Sequence, residues 1–195
     1  MAGLSVSING KEITSVASEG LQLIVLSLHG DLFSEELAIL HLTGIKQTQE
    51  DGHTHFTWIN VRELTEHDMV EVLFDQDIES SHPGKTVEEL FPESDDPELP
   101  MPSMEEVAEW RATQTRRRLK HEIELRSADG TFRSITADDP DYGFSFSVKW
   151  IWVRPDEASV RLTTTLPSET LDGKPGAPHT EFRLQYGDSV GIQVR

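Results

Sequence analysis

Leu4-Ser5-Val6-Ser7-Ile8-Asn9-Gly10 is the stretch on which the reading of this chain turns. Apolar and small polar residues alternate with period two, as in a half-buried strand. They end at Asn-Gly, the preferred pair for a two-residue hairpin turn because both central positions need positive φ. Glu12 to Val16 is then the returning strand. Further along, Leu21–Leu28 is the chain's strongest strand signal. It alternates Leu21, Leu23 and Val25 with Gln22 and then fills both faces, which suits a central strand. Leu37–Thr43, His55–Asn60 and Met69–Phe74 follow, the last with Val70, Val72 and Phe74 on one face.

The same order recurs in the second half. His121-Glu122-Ile123-Glu124-Leu125 alternates, turns at Asp129-Gly130 and runs on through Phe132 and Ile135. Gly143 precedes an apolar run from Phe144 to Val153, as Gly20 precedes Leu21. Ala38, Leu40 and Leu42 stand against Ala158, Val160 and Leu162. His53-Thr54-His55-Phe56 stands against His179-Thr180-Glu181-Phe182, and Asp68 to Val72 against Asp188 to Ile192. Recurrence of this kind is an architectural signal. The sequence therefore predicts a mainly β protein built of two tandem, sandwich-like β-units with pseudo-twofold symmetry. Residues 1–75 form copy one, 76–120 an acidic Pro-rich linker plus one amphipathic helix, and 121–195 copy two. Units of about 75 residues are small for an independent core, which favours packing of the two into one domain.

Between the units the composition changes. Pro83, Pro92, Pro97, Pro100 and Pro102 forbid long regular elements. Thr86-x-x-Glu89 and Ser103-x-x-Glu106 both have capping-box spacing. The first predicts a short helix ending before Pro92. The second predicts a helix over Met104–Leu119, with Glu105, Glu106 and Glu109 at its positive end and Arg116, Arg117 and Arg118 at its negative end. Those arginines are expected to pair with the acidic linker before them.

The 195 residues include no cysteine, so thiolate chemistry and disulfides are excluded, and they carry a net charge of −18. Such acidity argues against direct binding to nucleic acid or to an anionic membrane, and favours fast, salt-sensitive association with a basic partner. Twelve carboxylates and one lysine fall between Asp75 and Glu109. No signal-peptide pattern opens the sequence, and the longest apolar run is too short to span a bilayer, so a cytoplasmic location is expected.

Motifs for chemistry are weak. Gly84-Lys85-Thr86 lacks the glycine that a phosphate-binding loop places five residues earlier, where Glu79 stands, and reads as a turn before a helix. His53 and His55 share a strand face and suit zinc or nickel, but no further ligands can be named, so ordinary strand-edge histidines are the simpler reading. Asp138, Asp139 and Asp141 lack a calcium-loop pattern and read as a solvated turn. Asp68 and Asp188 read as turn residues bonding their own backbone. No nucleophile elbow, dinucleotide fingerprint or zinc-protease motif is present, and no catalytic residue, metal or cofactor is assigned.

What remains is a non-catalytic, acidic protein-binding module of the inhibitor, immunity or antitoxin type, blocking a basic partner such as a nuclease toxin. The expected partner-binding residues are Asp75, Asp77, Glu79, Glu88, Glu89, Glu93, Asp95, Asp96 and Glu98, mimicking phosphates, with Phe91 as an apolar anchor. The alternatives are a structural β-module of a phage or secretion particle, docking by strand edges, and a small-ligand or metal binder. The oligomeric state is left open.

Overall fold

The computed structural model describes the chain except residues 48–51, 93–102, 104–105, 107–108, 111–112, 139–140 and 166–176. Twelve strands follow in order: β1 Ala2–Ile8, β2 Lys11–Ala17, β3 Leu23–Asp31, β4 Ala38–Gln47, β5 His53–Leu64 and β6 Met69–Gln76, then β7 His121–Ser127, β8 Phe132–Ala137, β9 Gly143–Ile151, β10 Arg154–Thr165, β11 Ala177–Leu184 and β12 Asp188–Val194. A short helix, α1 Val87–Leu90, lies between β6 and β7, and further helical residues follow it at 106–113 among those described. Among the described residues no helix is long and apolar enough to cross a membrane.

The strands form two antiparallel sheets of six. One has the order β2-β1-β6-β12-β7-β8 and the other β11-β10-β9-β3-β4-β5. Each sheet takes three strands from residues 1–76 and three from residues 121–194, joined at its centre by β6 against β12 or by β3 against β9. Period-two patterning places the core. Leu4, Val6, Val70, Val72, Phe74, Val190 and Ile192 of one sheet face Ile24, Leu26, Leu28, Phe146, Val148, Val160 and Leu162 of the other, all without solvent exposure. They belong to a single apolar cluster, in which each such side chain contributes about 1.5–3 kcal/mol.

Local chemistry explains the turns. Asn9 and Gly10 both have positive φ, 54° and 77°, as the two-residue hairpin requires. The β7–β8 connection is a residue longer: Ser127 donates its amide to the Thr131 carbonyl, and only Gly130 has positive φ. Asp68 accepts from the Thr65 amide and hydroxyl, and Asp188 from the Gln185 amide, so both aspartates serve turns.

Three expectations are corrected. The core face of β3 is Ile24, Leu26 and Leu28, whereas Leu23 and Val25 are half-buried on the outer face. Gln22 is not part of the strand: it precedes β3, tied to Ile45 and Gln47, so alternation counted from Leu21 is out of phase. The helix does not reach Leu119. Glu106, Glu109, Trp110 and Thr113 are helical, but residues 114–120 are not, and Leu119 is 85% exposed. The helix begins as expected, with Ser103 and Glu106 exchanging both capping-box hydrogen bonds.

Arg117 and Arg118 are the third correction. Arg118 turns its guanidinium into the β3–β4 loop, donating to the carbonyls of Asp31, Ser34, Glu35 and Glu36 at 2.8–3.0 Å. Beside it Arg117 pairs with Glu35 at 3.1 Å, and Arg116 lies over the Phe33 ring. Arg117 and Arg118 thus close the β3–β4 loop, and Arg116 adds its contact with Phe33. The five donors of a guanidinium fork can be spread over several carbonyls that one loop turns toward a single point.

Candidate functional site

Residues 77–91 form a strap across the edge of the molecule where β2 and β5 end their sheets. Gln76 closes β6, and Asp77 turns the chain at a φ of 68° with its carboxylate 3.7 Å from the Met1 ammonium. The strap then runs along β2. Ser81 donates its amide to the Ser15 carbonyl, the Ser15 amide and hydroxyl bond Ser81 Oγ and the Glu79 carbonyl, and the Ala17 amide reaches Ser80 Oγ. Thr14 Oγ1 meets both Ser81 and His82. Crossing to the other sheet, the His82 carbonyl accepts from the Trp58 indole, and Lys85 exchanges two backbone hydrogen bonds with Thr57.

Gly84 allows this crossing. A Cβ there would lie 2.9 Å from Phe56 Cβ and 3.0 Å from Trp58 Cε2, so only glycine lets the strap lie flat on the two rings. The Gly84-Lys85-Thr86 run is therefore a packing and capping element. Thr86 caps α1, accepting from the Glu89 amide while its own amide donates to the Glu89 carboxylate.

The strap presents carboxylates outward. Asp77 has 92% of its side chain exposed, and Glu79, Glu88 and Glu89 are exposed. Glu88 is held below the usual carboxylate range by its own amide and the Thr86 hydroxyl, which keeps it ionised. Phe91 is 58% exposed and Val87 52%, so acids and apolar groups alternate at the end of the strap. Asp75 stands apart from them, half-buried on β6 with its carboxylate on the Gln76 amide. Glu93, Asp95, Asp96 and Glu98 lie outside the described residues.

The histidines fall elsewhere. His53 and His55 are exposed on β5, and His179 bonds Thr164 Oγ1 at 2.7 Å. Register separates them: Leu42 faces Ile59 on β5, and Leu162 faces Thr180 on β11. His179 is thus next to the residue opposite Leu162, as Trp58 is next to the residue opposite Leu42, whereas His53 pairs with Gln47 at the far end of β4. Among the described residues no three His, Asp or Glu groups are placed to hold a metal ion. Of the aspartates at 138–141, Asp139 lies outside the described residues.

Two features escaped the sequence reading. His29 and His41 stack face to face at 5.2 Å, and burial together with the facing imidazole pushes the His29 pKa down. His121 is fully buried, edge-on to Phe144, and among the described residues neither ring nitrogen meets a partner at full hydrogen-bond geometry. The first depends on the pairing of β3 with β4 and the second on the packing of one sheet against the other, neither of which leaves a mark on neighbouring residues.

Two clefts open between the sheets. One, of about 590 Å³, lies between the β1–β2 turn and β5, and includes Ile13, Trp58, Val61 and Asp68. The other, of about 300 Å³, lies between the β7–β8 turn and β11, and includes Arg133, Phe182 and Arg183. Comparison with protein-family models, with curated proteins and with solved structures finds no match for this chain.

Proposed function

We propose that this protein is a cytosolic, non-catalytic binding module that neutralises a basic protein partner, in the manner of an inhibitor or immunity protein facing a nucleic-acid enzyme. The carrying observation is the strap. An acidic segment is pinned along two sheet edges by backbone and side-chain bonds, with Asp77, Glu79, Glu88 and Glu89 turned to solvent beside Phe91. Pre-ordering lowers the entropy lost on binding, and carboxylates on a surface of net charge −18 steer a basic partner toward it. Glu93, Asp95, Asp96 and Glu98 continue the same run in sequence and are assigned to the same interface, with Asp75 at its border.

The scaffold in this reading is a tandem duplicate with pseudo-twofold symmetry. In support, residues 120 apart play matching roles: Ile24, Leu26 and Leu28 with Phe144, Phe146 and Val148, and Ala38, Leu40 and Leu42 with Ala158, Val160 and Leu162, all on the core face. The turns Thr65–Asp68 and Gln185–Asp188 share one hydrogen-bond pattern at the same spacing.

The test is a tagged pull-down from the native host with stepped salt elution, followed by association kinetics with the captured protein. One stoichiometric basic protein eluting at moderate salt is expected. Combining Asp77→Asn, Glu79→Gln and Glu88→Gln should slow association by about tenfold or more without altering the melting temperature. Unchanged on-rates would remove the strap from the interface.

A further inference from the structure

The molecule has a second edge at the position that the strap occupies, and no described residue pairs along it. Val6 of β1 pairs with Val72 on one side and Thr14 on the other, while Leu125 of β7 pairs with Ile192 and Arg133. Ser5 likewise pairs with Ser15, and Glu124 with Ser134. Arg133 and Ser134 of β8 therefore stand where Thr14 and Ser15 stand in β2. Their surroundings differ sharply. Under the strap Thr14, Ser15 and Val16 are 2%, 7% and 0% exposed, whereas Arg133 and Ser134 are exposed and Ile135 is only half-buried. Among the described residues nothing pairs with the outer edge of β8.

We infer that the β8 edge is a docking site for an extended segment of a partner protein, which adds as a strand and places a carboxylate on Arg133. The protein's own strap shows how such a segment is held. It makes a backbone bond to residue 15, its hydroxyls return to the same strand, and it places side chains against residue 14. Strand addition of this type takes affinity from main-chain hydrogen bonds and specificity from alternate side chains.

Charge identifies the occupant. Where Thr14 receives a hydroxyl and an imidazole from the strap, Arg133 offers a guanidinium that has no partner among the described residues. The neighbouring acids Asp129 and Asp188 are engaged by turn amides, and Arg183 is paired with Glu157 at 2.9 Å. Glu181, also at this cleft, is exposed. A carboxylate at that position of the incoming strand thus meets an unneutralised Arg133.

The segment is confined to β8. Leu42 and Thr43 of β4 pair with Ile59 and Thr57, whereas Leu162 and Thr163 of β10 pair with Thr180 and Pro178. Pro178 has no N–H to make the bond that Thr57 makes with the strap, so the second sheet cannot be bridged in the same way. This site is separate from the acidic strap and does not depend on the strap finding a basic partner.

The probe is a synthetic peptide copying Ile78 to Pro83 with His82→Asp, titrated into the whole protein while backbone amides are followed by NMR. Shifts confined to residues 132–136 and saturating with peptide are expected. Arg133→Glu should weaken binding by at least about tenfold, and a matched peptide with His82→Lys should bind the wild type correspondingly worse. Ser134→Pro, which removes an edge N–H, should abolish the shifts, and circular dichroism establishes that both variants fold. No shift at β8 at millimolar peptide, or equal affinity in Arg133→Glu, would overturn the inference. So would a dimer in light scattering that Ser134→Pro dissolves, since a second copy would then hold the edge.

Discussion

Acidification tests the packing of the second half most directly through His121. The ring is wholly buried, edge-on to Phe144 at 5.1 Å, and a Cβ on Gly30 would lie 3.1 Å from its Cε1. Among the described residues neither nitrogen meets a partner at full hydrogen-bond geometry, the Asp31 backbone lies near the ring, and the Arg118 guanidinium is close enough to repel a charge. Burial first, then Arg118, pushes the pKa down from 6.5 to about 4, with the Asp31 backbone offsetting a part. Between those values the unfolded chain binds a proton that the folded chain refuses, so stability rises with pH across the window. It is complete above pH 6.5 and is lost progressively as the pH falls toward 4. The full difference corresponds to about 3 kcal/mol, a large share of the stability of an ordinary domain. Urea unfolding followed by tryptophan fluorescence, at steps from pH 7.5 to 4.5, measures it. Many carboxylates titrate near the lower limit, so the informative quantity is the difference between wild type and His121→Phe. That difference should change by about 2–3 kcal/mol in favour of the variant as the pH falls. Parallel curves for the two proteins would refute the reasoning, because the imidazole would then have no depressed pKa to lose.

Two further substitutions probe the strap and the arginine clamp. Gly84→Ala drives a methyl group into Phe56 and Trp58, and should cost about 1–3 kcal/mol in urea unfolding while hydrogen exchange at the Lys85 amide accelerates. Unchanged exchange would mean that the strap is not held by that contact. Arg118→Lys keeps the charge but cannot span carbonyls from Asp31 to Glu36, and should cost about 2–4 kcal/mol, with protection lost first at the Arg117 and Arg118 amides bonded to the Leu32 carbonyl. A cost equal to that of an exposed lysine substitution would exclude the clamp.

Features set by adjacent residues were legible in the sequence. Alternation located the strands, Asn9-Gly10 located its turn, and both capping boxes form as their spacing implies. Failures came where a distant partner decides. The central place of β3 was legible, but which of its two apolar faces is the core, that of Ile24, Leu26 and Leu28, was not, because Gln22 is held by Ile45 and Gln47 ahead of the strand. Arg118 binds backbone carbonyls 82 to 87 positions away, and carbonyls have no sequence signature. His53-Thr54 lies opposite Gln47 and Lys46 whereas Thr180 lies opposite Leu162, a difference that bulges in β4·β5 and β10·β11 decide and adjacent residues do not announce. The acidic composition of the strap was plain, but its docking on Ser15 and Thr57 was not, since serine, glycine and lysine are common in loops of every kind.

The two central seams, β3 against β9 and β6 against β12, make each half of the chain the other's missing template. Residues 1–76 alone would bare Ile24, Leu26, Val70 and Val72 beside two unpaired strand edges, and residues 121–194 would bare the matching surface. A protein cleaved once between Phe91 and Ser103 is therefore a heterodimer in waiting. Its fragments, expressed separately, should remain disordered until mixed and then assemble in a one-to-one ratio, so that fusion of each to half of a reporter would turn this core into a conditional switch.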